Sequence, residues 1–408
     1  MPTKLIRACA AVALILFTFA FSVRADVITE TTARTTALIA ASGLPTPLGN
    51  RALAISQTAV YEAVNAITKK YSTGKLQLTA EPGASIEAAV AAANRGVLLQ
   101  LIPAKKDEIE AEFQRVIATV HDGPAKASGI KLGEQAAAAV MQYRSADNAS
   151  IVESFRPITE PGVYIPTAIP VFSTWPKRTP WSMTSADQFR PGPPPDLKSD
   201  IWARDYNEIK SMGVRTNSKR TDEQTAVAKF WETTGIAVYM PVVLSVANME
   251  DREVTRNARL FAMVGQAIDD ALISVFDAKY AYKFWRPVTA IRNGDSDGND
   301  ATERDPSWAP FIDTPMHPEY PCAHCIIAST VGTVLRLELG STPAPTLSSV
   351  SPTLPGVTRR WTTIDDFIRE VSEGRICDGV HFRNSTEVGT AMGKKIGELT
   401  FSKFPPPK

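Results

Sequence analysis

The 408-residue chain contains only four histidines and four cysteines, and it lacks long runs of like charge. Its 44 Lys+Arg and 43 Asp+Glu give a formal charge of +1, so no basic patch or acidic tail indicates a nucleic-acid partner. Beyond residue 25 no stretch approaches the roughly eighteen apolar residues of a membrane span. With 44% apolar residues the chain can bury a large core. These features favour a globular protein with a small-molecule partner.

Strand signals are also scarce, because β-branched runs are short and no Asn-Gly pair lies between alternating segments. Apolar residues instead recur at helical intervals within 60–67, 86–101, 109–120 and 254–275. The sequence therefore predicts an all-α fold built from packed helical bundles.

Residues 1–25 have the composition of a secretory signal peptide. Lys4 and Arg7 precede mostly apolar residues, and Val23 and Ala25 occupy the −3 and −1 places of a cleavage site. The alternative is an uncleaved membrane anchor, for which the apolar run is short. We expect cleavage and export to the periplasm or the exterior.

Proline divides the remaining chain, since ten of the thirty prolines lie between 148 and 200. That composition is hostile to helix interiors. We predict an N-terminal helical region at 26–147, a proline-rich ordered connector at 148–195 and a C-terminal helical bundle at 196–408. The connector is either a wrapping linker or a wall of the functional site.

The first candidate site motif, Lys279-Tyr-Ala-Tyr-Lys-Phe-Trp-Arg286-Pro287, closes the longest helical stretch. A seven-residue separation is two helical turns, which predicts that Lys279 and Arg286 share one face. Pro287 disfavours α geometry at the preceding residue, so we expect the helix to end at Arg286. The two cations could hold one anion, although a solvated face with scattered cations has a similar pattern.

The second motif is HPEYPCAHC at 317–325, followed by an apolar run at 326–337. Its prolines and small residues predict a tight turn that opens a helix, with the amides of 322–325 free to bind an anion. His324 lies in this first turn, where it could exchange a proton with that anion.

The third motif contains Arg375 and His381, which are six residues apart and converge only where the chain bends. Gly374 and Gly379 permit such a bend. The three motifs together supply three cations, a helix N-terminus and two histidines, which suits a phosphate-sized oxyanion undergoing in-line attack. His381 would be the apical nucleophile or ligand and His324 the opposite acid or base.

These motifs resemble the signature shared by vanadium-dependent haloperoxidases and type 2 phosphatidic acid phosphatases, which is Lys-x6-Arg-Pro, Pro-Ser-Gly-His and Arg-x5-His. Here it reads Lys279-x6-Arg286-Pro287, Pro321-Cys322-Ala323-His324 and Arg375-x5-His381. The resemblance is closest over 279–383, and it implies the soluble haloperoxidase branch with its helical-bundle fold.

The resemblance also implies roles for the site residues. It assigns Lys279, Arg286 and Arg375 to the equatorial oxygens of vanadate or phosphate. His381 would be the vanadium ligand of a peroxidase or the phosphohistidine nucleophile of a phosphatase, and His324 the acid–base group. The implied cofactor is vanadate for the first activity and none for the second. The substrates would be halide and hydrogen peroxide, or a phosphomonoester.

Some positions depart from the signature. Cys322 and Ala323 replace the Ser and Gly that contact the anion, and a thiol is a weak donor that can oxidise. Ser385 replaces the carboxylate expected four residues after His381, so another group, such as a backbone carbonyl, must orient that ring. His317 matches a position that is also His in the bromoperoxidases, which implies a role near the halide; a surface-turn histidine is the alternative.

Several alternatives remain open at this point. The departures are compatible with a non-catalytic oxyanion binder. Cys322 and Cys325 have thiol-oxidoreductase spacing, although the supporting βαβ pattern is missing. A metal site could combine Cys322, Cys325, Cys377 and His381. A Cys325–Cys377 disulfide would close a loop of about 52 residues and add roughly 4 kcal/mol of stability.

Overall fold

The computed structural model describes residues 26–72, 76–152, 155–166, 168–404 and 406–407. The predicted signal peptide lies outside the described residues. Within them the secondary structure is helical, apart from one antiparallel hairpin formed by β1 (Leu347–Val350) and β2 (Thr358–Trp361). The prediction of an all-α fold is confirmed.

Thirteen α-helices account for most of the described ranges. They are α1 Val27–Ala40, α2 Thr46–Thr68, α3 Ile86–Leu101, α4 Lys106–Ile117, α5 Pro124–Tyr143, α6 Asp200–Met212, α7 Asp222–Phe230, α8 Ile236–Ala247, α9 Val254–Tyr282, α10 Pro287–Arg292, α11 Ala323–Leu339, α12 Ile364–Cys377 and α13 Arg383–Lys403. In these described ranges no helix is both long and apolar enough to cross a membrane.

Several helices begin where the sequence supplies a capping side chain. Ser85, Ser199 and Thr363 each accept a hydrogen bond from a backbone amide in the first turn of α3, α6 and α12. Thr221 forms a full capping box with Gln224 at the start of α7. Such caps satisfy amides that have no partner inside the helix, so they determine where each helix starts.

The helix α9 lies at the centre of the molecule and is buried along nearly its whole length. Helix α2 from the N-terminal region packs against α9, and so do α11 and α13 from the C-terminal region. One apolar cluster therefore contains residues from both the N-terminal and the C-terminal helices. A helix that is buried on nearly every face suits this central position, and its buried charged residues include Asp269, which is paired with Arg178. The domain boundaries at 147 and 195 stay predictions.

The proline-rich segment 148–195 is held on α9 by buried charge. Its described residues form no α-helix, only a short 3-10 turn at Trp175–Lys177. Arg178 follows this turn and donates to both carboxylate oxygens of Asp269 in α9, at 2.6 and 3.1 Å. Both side chains are fully buried, and a bidentate pair fixes geometry as well as distance. The segment thus brings Phe172 to the cavity described below.

A prediction about the fold concerns Gly379, which turns the chain between α12 and α13 with a φ of +86°. An added Cβ would lie 2.4 Å from the carbonyl oxygen of Gly213 and 2.9 Å from the Cβ of Pro310. Gly379→Ala should therefore cost about 3 kcal/mol in the free energy of unfolding, from positive φ and overpacking together. Urea denaturation measures this cost.

The matched control is Gly83→Ala. Gly83 has a φ of +77°, and its added Cβ would meet nothing within 4 Å. Only the backbone cost of about 1–2 kcal/mol applies there. Equal destabilisation of the two variants would contradict the steric argument for Gly379.

Candidate oxyanion site

Lys279 and Arg286 do not share a helix face. Helix α9 ends at Tyr282, and Lys283 closes it in the left-handed conformation with a φ of 52°. Arg286 is extended, with φ −84° and ψ 155°, and Pro287 is the first residue of α10. The prediction that the helix continues to Arg286 is therefore wrong. The extended backbone of Arg286 is the conformation that a following proline favours.

Both side chains still reach the segment that precedes α11. Lys279 Nζ donates to the carbonyl oxygens of Pro318 at 2.9 Å and Glu319 at 2.7 Å. Its ammonium group is fully buried, and burial together with the charge of Arg286 holds its pKa well below the ordinary 10.5. An anion placed beside this group would restore the preference for its charged form.

Arg286 joins two segments of the site. Its Nε donates to the carbonyl oxygen of His317 at 2.9 Å, and its Nη2 donates to Nδ1 of the same residue at 3.0 Å. Its Nη1 donates to the carbonyl oxygen of Val380 at 2.8 Å. Burial lowers the pKa of this guanidinium to about 10, which leaves it charged at neutral pH. A fixed cation thus lies between the start of α11 and the start of α13.

Helix α11 opens at the second motif, as predicted. Two of the four amides expected to be free are already hydrogen-bonded, however. The amide of Cys322 donates to the carbonyl oxygen of Ser385 at 3.1 Å, and that of Cys325 donates to Cys322 Sγ at 3.3 Å. The amides of Ala323 and His324 have no acceptor among the described residues. These two remain available for an anion at the helix N-terminus.

His324 is buried at the edge of the site, with 6% of its surface exposed. Its Nε2 lies 3.2 Å from the carbonyl oxygen of Thr233. Because a carbonyl only accepts, Nε2 carries the proton and Nδ1 holds the lone pair. Burial, with the charge of Arg375, keeps the His324 pKa well below 6.5. A neutral ring with an unprotonated nitrogen can accept a proton.

Arg375 lies in the last turn of α12, where it pairs with Asp378 at 2.7 Å and donates to the carbonyl oxygen of Trp231. Its Nε is buried without a hydrogen-bond partner among the described residues. Gly379 then reverses the chain toward His381, as predicted. Gly374, in contrast, lies inside α12 and contributes no bend.

His381 is oriented by a carboxylate from another part of the chain. Its Nδ1 lies 2.8 Å from Oε1 of Glu319, which also accepts from the amide of Phe382 at 3.1 Å. Another group does orient this ring, as expected, but it is the side chain of Glu319 and not a backbone carbonyl. Ser385, at the signature's carboxylate position, is 3.5 Å from the same nitrogen. Glu319 supplies the carboxylate that the signature places at position 385.

The partners of His381 determine its tautomer. A carboxylate accepts from Nδ1, so this nitrogen carries the proton and Nε2 holds the lone pair. Arg286 Nη1, which only donates, lies 3.4 Å from Nε2. Burial, with the charges of Arg286 and Lys279, keeps the His381 pKa well below 6.5. The ring therefore presents an unprotonated nitrogen among fixed cations.

The site faces a cavity of about 340 Å³. Its lining combines the site side chains with apolar residues; it comprises Thr46, Pro47, Phe172, Glu232, Thr234, Leu272, Phe276, Ile312, Asp313, Pro315, His317, Ala323, His324, Ile327, Arg375 and His381. His317 lies in this wall and packs edge-on against Phe276 at 5.3 Å between ring centroids. His317 is thus a half-buried residue of the cavity wall, in a bend that precedes α11.

The buried charges of the site are not balanced. Three cations, Lys279, Arg286 and Arg375, face two carboxylates, Glu319 and Asp378, and all five are at most 1% exposed. Their formal sum is 3 − 2 = +1, and burial raises the pKa of each carboxyl to about 7, which makes the site more positive at lower pH. Unpaired buried charge is costly, so an anion is the ligand that this arrangement favours.

The cysteines form neither the predicted disulfide nor a metal site. Cys322, Cys325 and Cys377 are all free and buried, so the Cys325–Cys377 bridge is not made. Among the described residues no group of three His, Cys, Asp or Glu side chains could hold a metal ion. Cys322 instead caps α11 and contacts Cys325, with 2.7 Å between the sulfur atoms.

Known proteins resemble this chain in sequence and in architecture. Residues 259–405 match the VCPO second helical-bundle domain. Over 177 residues, 35% of the chain, the sequence is 27% identical to a vanadium chloroperoxidase of Curvularia inaequalis, and the match spans 28% of that relative. The superfamily resemblance is confirmed.

Solved structures extend the likeness over almost the whole chain. A bacterial vanadium-dependent iodoperoxidase superimposes with a TM-score of 0.80 and 21% identity, covering 93% of this chain and 96% of the other. The apo-type bacterial vanadium-dependent chloroperoxidase gives a TM-score of 0.72 and 17% identity, covering 88% and 93%. The chain has the vanadium haloperoxidase fold. Its C-terminal bundle contains all five residues that the resemblance assigned to the anion and the acid–base step, and the structure brings them together.

Sequence reasoning missed two residues of this site. Glu319 lies inside the second motif, and Asp378 lies between Arg375 and His381 in the third. Neither residue was predicted to belong to the site. A buried carboxylate near a motif histidine is a useful signal, since rings that bind metals commonly donate their other N–H to one. The sequence offered no comparable signal for the carbonyl groups of Trp231 and Thr233, which come from the segment between α7 and α8.

Proposed function

We propose that the chain is a vanadium-dependent haloperoxidase-like enzyme that oxidises halide with hydrogen peroxide. Vanadate would be held by His381, Lys279, Arg286 and Arg375. The observation that carries the proposal is the His381–Glu319 hydrogen bond of 2.8 Å. It leaves the Nε2 lone pair in a buried, positively charged site. A neutral imidazole nitrogen is a ligand that suits a vanadium centre.

The donor set fits a tetrahedral oxyanion. Within the part of the chain that the structure describes, Arg375 Nε is buried without a hydrogen-bond partner, and the amides of Ala323 and His324 have no acceptor. The formal charge of the five buried groups is +1. Cationic and amide donors match the oxygens of vanadate and of phosphate alike. The two fully buried carboxylates are engaged by His381 and by Arg375. Two further acidic residues line the cavity: Glu232 is half-buried and paired with Lys229, and Asp313 is exposed.

The protein groups have separate tasks in this reaction. Bound vanadate would act as a Lewis acid that activates hydrogen peroxide toward halide. Lys279, Arg286 and Arg375 would stabilise negative charge on the bound oxygens. His324 Nδ1 is unprotonated and can accept a proton as peroxide binds. The apolar wall of Phe172, Leu272 and Phe276 limits water near the reacting atoms.

The same unprotonated Nε2 of His381 would also suit nucleophilic attack on a phosphomonoester. This second candidate, an acid phosphatase, needs the same cations and no cofactor. The largely apolar wall and the haloperoxidase names of the relatives support halide oxidation over it. We further propose export of the chain, on the composition of residues 1–25 alone.

The test compares halide and phosphate-ester activities of the purified chain. Bromide and iodide oxidation by hydrogen peroxide should require added vanadate and should fall when phosphate competes for the site. Removing vanadate by dialysis against a chelator should abolish the activity, and adding it again should restore it. Vanadate-independent hydrolysis of p-nitrophenyl phosphate without halide oxidation would support the phosphatase. Vanadate binding without either activity would support the third alternative, a non-catalytic oxyanion-binding protein.

A further inference from the structure

We infer that Cys322 and Cys325 form a redox-active dithiol, which hydrogen peroxide oxidises to a disulfide beside the oxyanion site. The two sulfur atoms are 2.7 Å apart, and the Cys325 thiol donates to Cys322 Sγ. A disulfide bond requires about 2.05 Å. Bond formation therefore needs the sulfurs to approach by well under one ångström, with no rearrangement of the helices.

The surrounding backbone holds the two thiols together. Cys322 is the N-cap of α11, and its Sγ also accepts from the Cys325 amide at 3.3 Å. On the other side α13 packs so closely that a Cβ added at Gly389 would lie 2.7 Å from the Cys322 carbonyl oxygen and 3.2 Å from Cys325 Cβ. This packing holds the backbone of both cysteines against α13.

The two thiols differ in reactivity. For Cys322, burial acts to raise the pKa, but the Cys325 hydrogen bond and the charge of Arg375 outweigh it, so the pKa is lowered. Burial and the neighbouring Cys322 raise the pKa of Cys325 well above 9.0. An attacking thiol beside a resolving thiol, at a helix N-terminus, is the arrangement of reactive Cys-x-x-Cys pairs. We therefore expect hydrogen peroxide to react with Cys322 before Cys325.

The cavity lies next to this pair, although neither cysteine is among its lining residues. Ala323 and His324, the two residues between the cysteines, both line the 340 Å³ space. Hydrogen peroxide is small enough to enter any cavity that admits water. The dithiol itself, with both cysteines fully buried, excludes larger oxidants and larger disulfides. The inferred oxidant is thus a small peroxide, and the inference does not rest on the proposed function.

The reaction balances without any further reagent. The Cys322 sulfur attacks one peroxide oxygen, so an S–O bond forms, the O–O bond breaks, and the departing hydroxide takes a proton to become water. The Cys325 sulfur then attacks the sulfenic sulfur, so the S–S bond forms and the S–O bond breaks. The released hydroxide takes the second thiol proton. Two thiols and one peroxide give one disulfide and two waters.

This chemistry explains how a thiol can replace the signature serine beside a site proposed to use peroxide. A single cysteine there would proceed to sulfinic acid, which is irreversible without a dedicated repair enzyme. Cys325 intercepts the sulfenic acid and returns the site to a form that thiols can reduce.

The test is peptide mapping after graded peroxide treatment of the folded chain. Trypsin places Cys322 and Cys325 in one peptide, 305–336, and Cys377 in another, 376–383. We expect the fragment ions of peptide 305–336 that contain both cysteines to lose two hydrogen atoms in mass and to resist alkylation, separately from any oxygen gained at the exposed Met316. Dithiothreitol should restore both properties. Cys377 is buried and has a pKa raised to about 12, so its peptide should stay alkylatable and serves as the internal control.

Two variants sharpen the result. In Cys325→Ser, Cys322 has no resolving partner, so the fragment ions that contain Cys322 should gain two or three oxygen atoms, and dithiothreitol should not remove them. In Cys377→Ser the disulfide should form as in the parent chain. The inference is overturned by a parent peptide 305–336 that keeps two alkylatable thiols, by oxygen gain at Cys322 at equal rates in the parent and Cys325→Ser, or by a crosslink to 376–383. Because the parent chain alone gives a decisive result, a variant that fails to fold does not weaken the test.

Discussion

His381→Ala should reduce vanadate-dependent halide oxidation by at least about 10³-fold, because it removes the nitrogen proposed to bind the vanadium. The remaining cations still hold formal positive charge, so phosphate binding by isothermal titration calorimetry should survive with a smaller loss. Loss of halide oxidation with retained phosphate binding would show that the variant lacks the vanadium ligand but keeps a folded pocket. Steady-state bromide oxidation at saturating vanadate is the measurement.

The chain offers a matched control for this substitution. His121 is exposed and lies outside the site, so His121→Ala should leave both activity and phosphate affinity unchanged. Far-ultraviolet circular dichroism should be the same for both variants. Substantial bromide oxidation by His381→Ala would refute the proposed role of His381, and loss of phosphate binding in the same variant would indicate that the pocket had collapsed.

Glu319→Gln should lower halide oxidation by about 10–100-fold, the usual cost of removing the partner that orients a metal-binding histidine. An amide can reach the same ring nitrogen, but it no longer carries the charge that favours the Nδ1–H tautomer. Phosphate affinity should stay equal or rise, since the substitution removes a negative charge from a site with three cations. A decrease in kcat with an unchanged or lower phosphate dissociation constant would identify Glu319 as a positioning residue.

Ser385 provides the control for this second prediction. Its Oγ is 3.5 Å from His381 Nδ1, so an aspartate there could replace the missing carboxylate. Ser385→Asp alone should give no increase in activity, because Glu319 already fills the role and two buried carboxylates repel. In the Glu319→Gln background, however, Ser385→Asp should restore part of the lost activity. If the double variant is no better than Glu319→Gln, Glu319 acts through something other than the His381 ring.

The sequence predicts best those structural features that depend on residues close to one another in the chain. The apolar period of 254–275 identified α9, because helical periodicity is a local pattern of one chain segment. The prolines and small residues before 326 likewise located the start of α11. The end of α9 was predicted too late, since the left-handed turn at Lys283 has no signal as strong as the proline at 287. Local rules locate helices well and their last residues poorly.

The pairing of groups within the site was beyond such rules. Spacing and residue type brought attention to His381, and the resemblance gave it a role, but its partner Glu319 is 62 residues away in sequence. The contact exists because α11 and α13 pack against each other and place the segment before one beside the first residues of the other. The predicted Cys325–Cys377 bridge failed for the same reason. The first turn of α11 instead brings Cys325 into contact with Cys322, three residues earlier in the sequence.

The helical class, the three motifs and the identity of the cations could be read from the chain, because composition, periodicity and spacing are local properties. The protonation of the site could not be read there and depends on the folded arrangement. Which nitrogen of His381 carries the proton, whether Lys279 has its ordinary pKa and which amides stay free all depend on burial and on partners from distant segments. Those quantities are set by desolvation and by distances of a few ångströms, and neither is encoded in any single stretch of sequence.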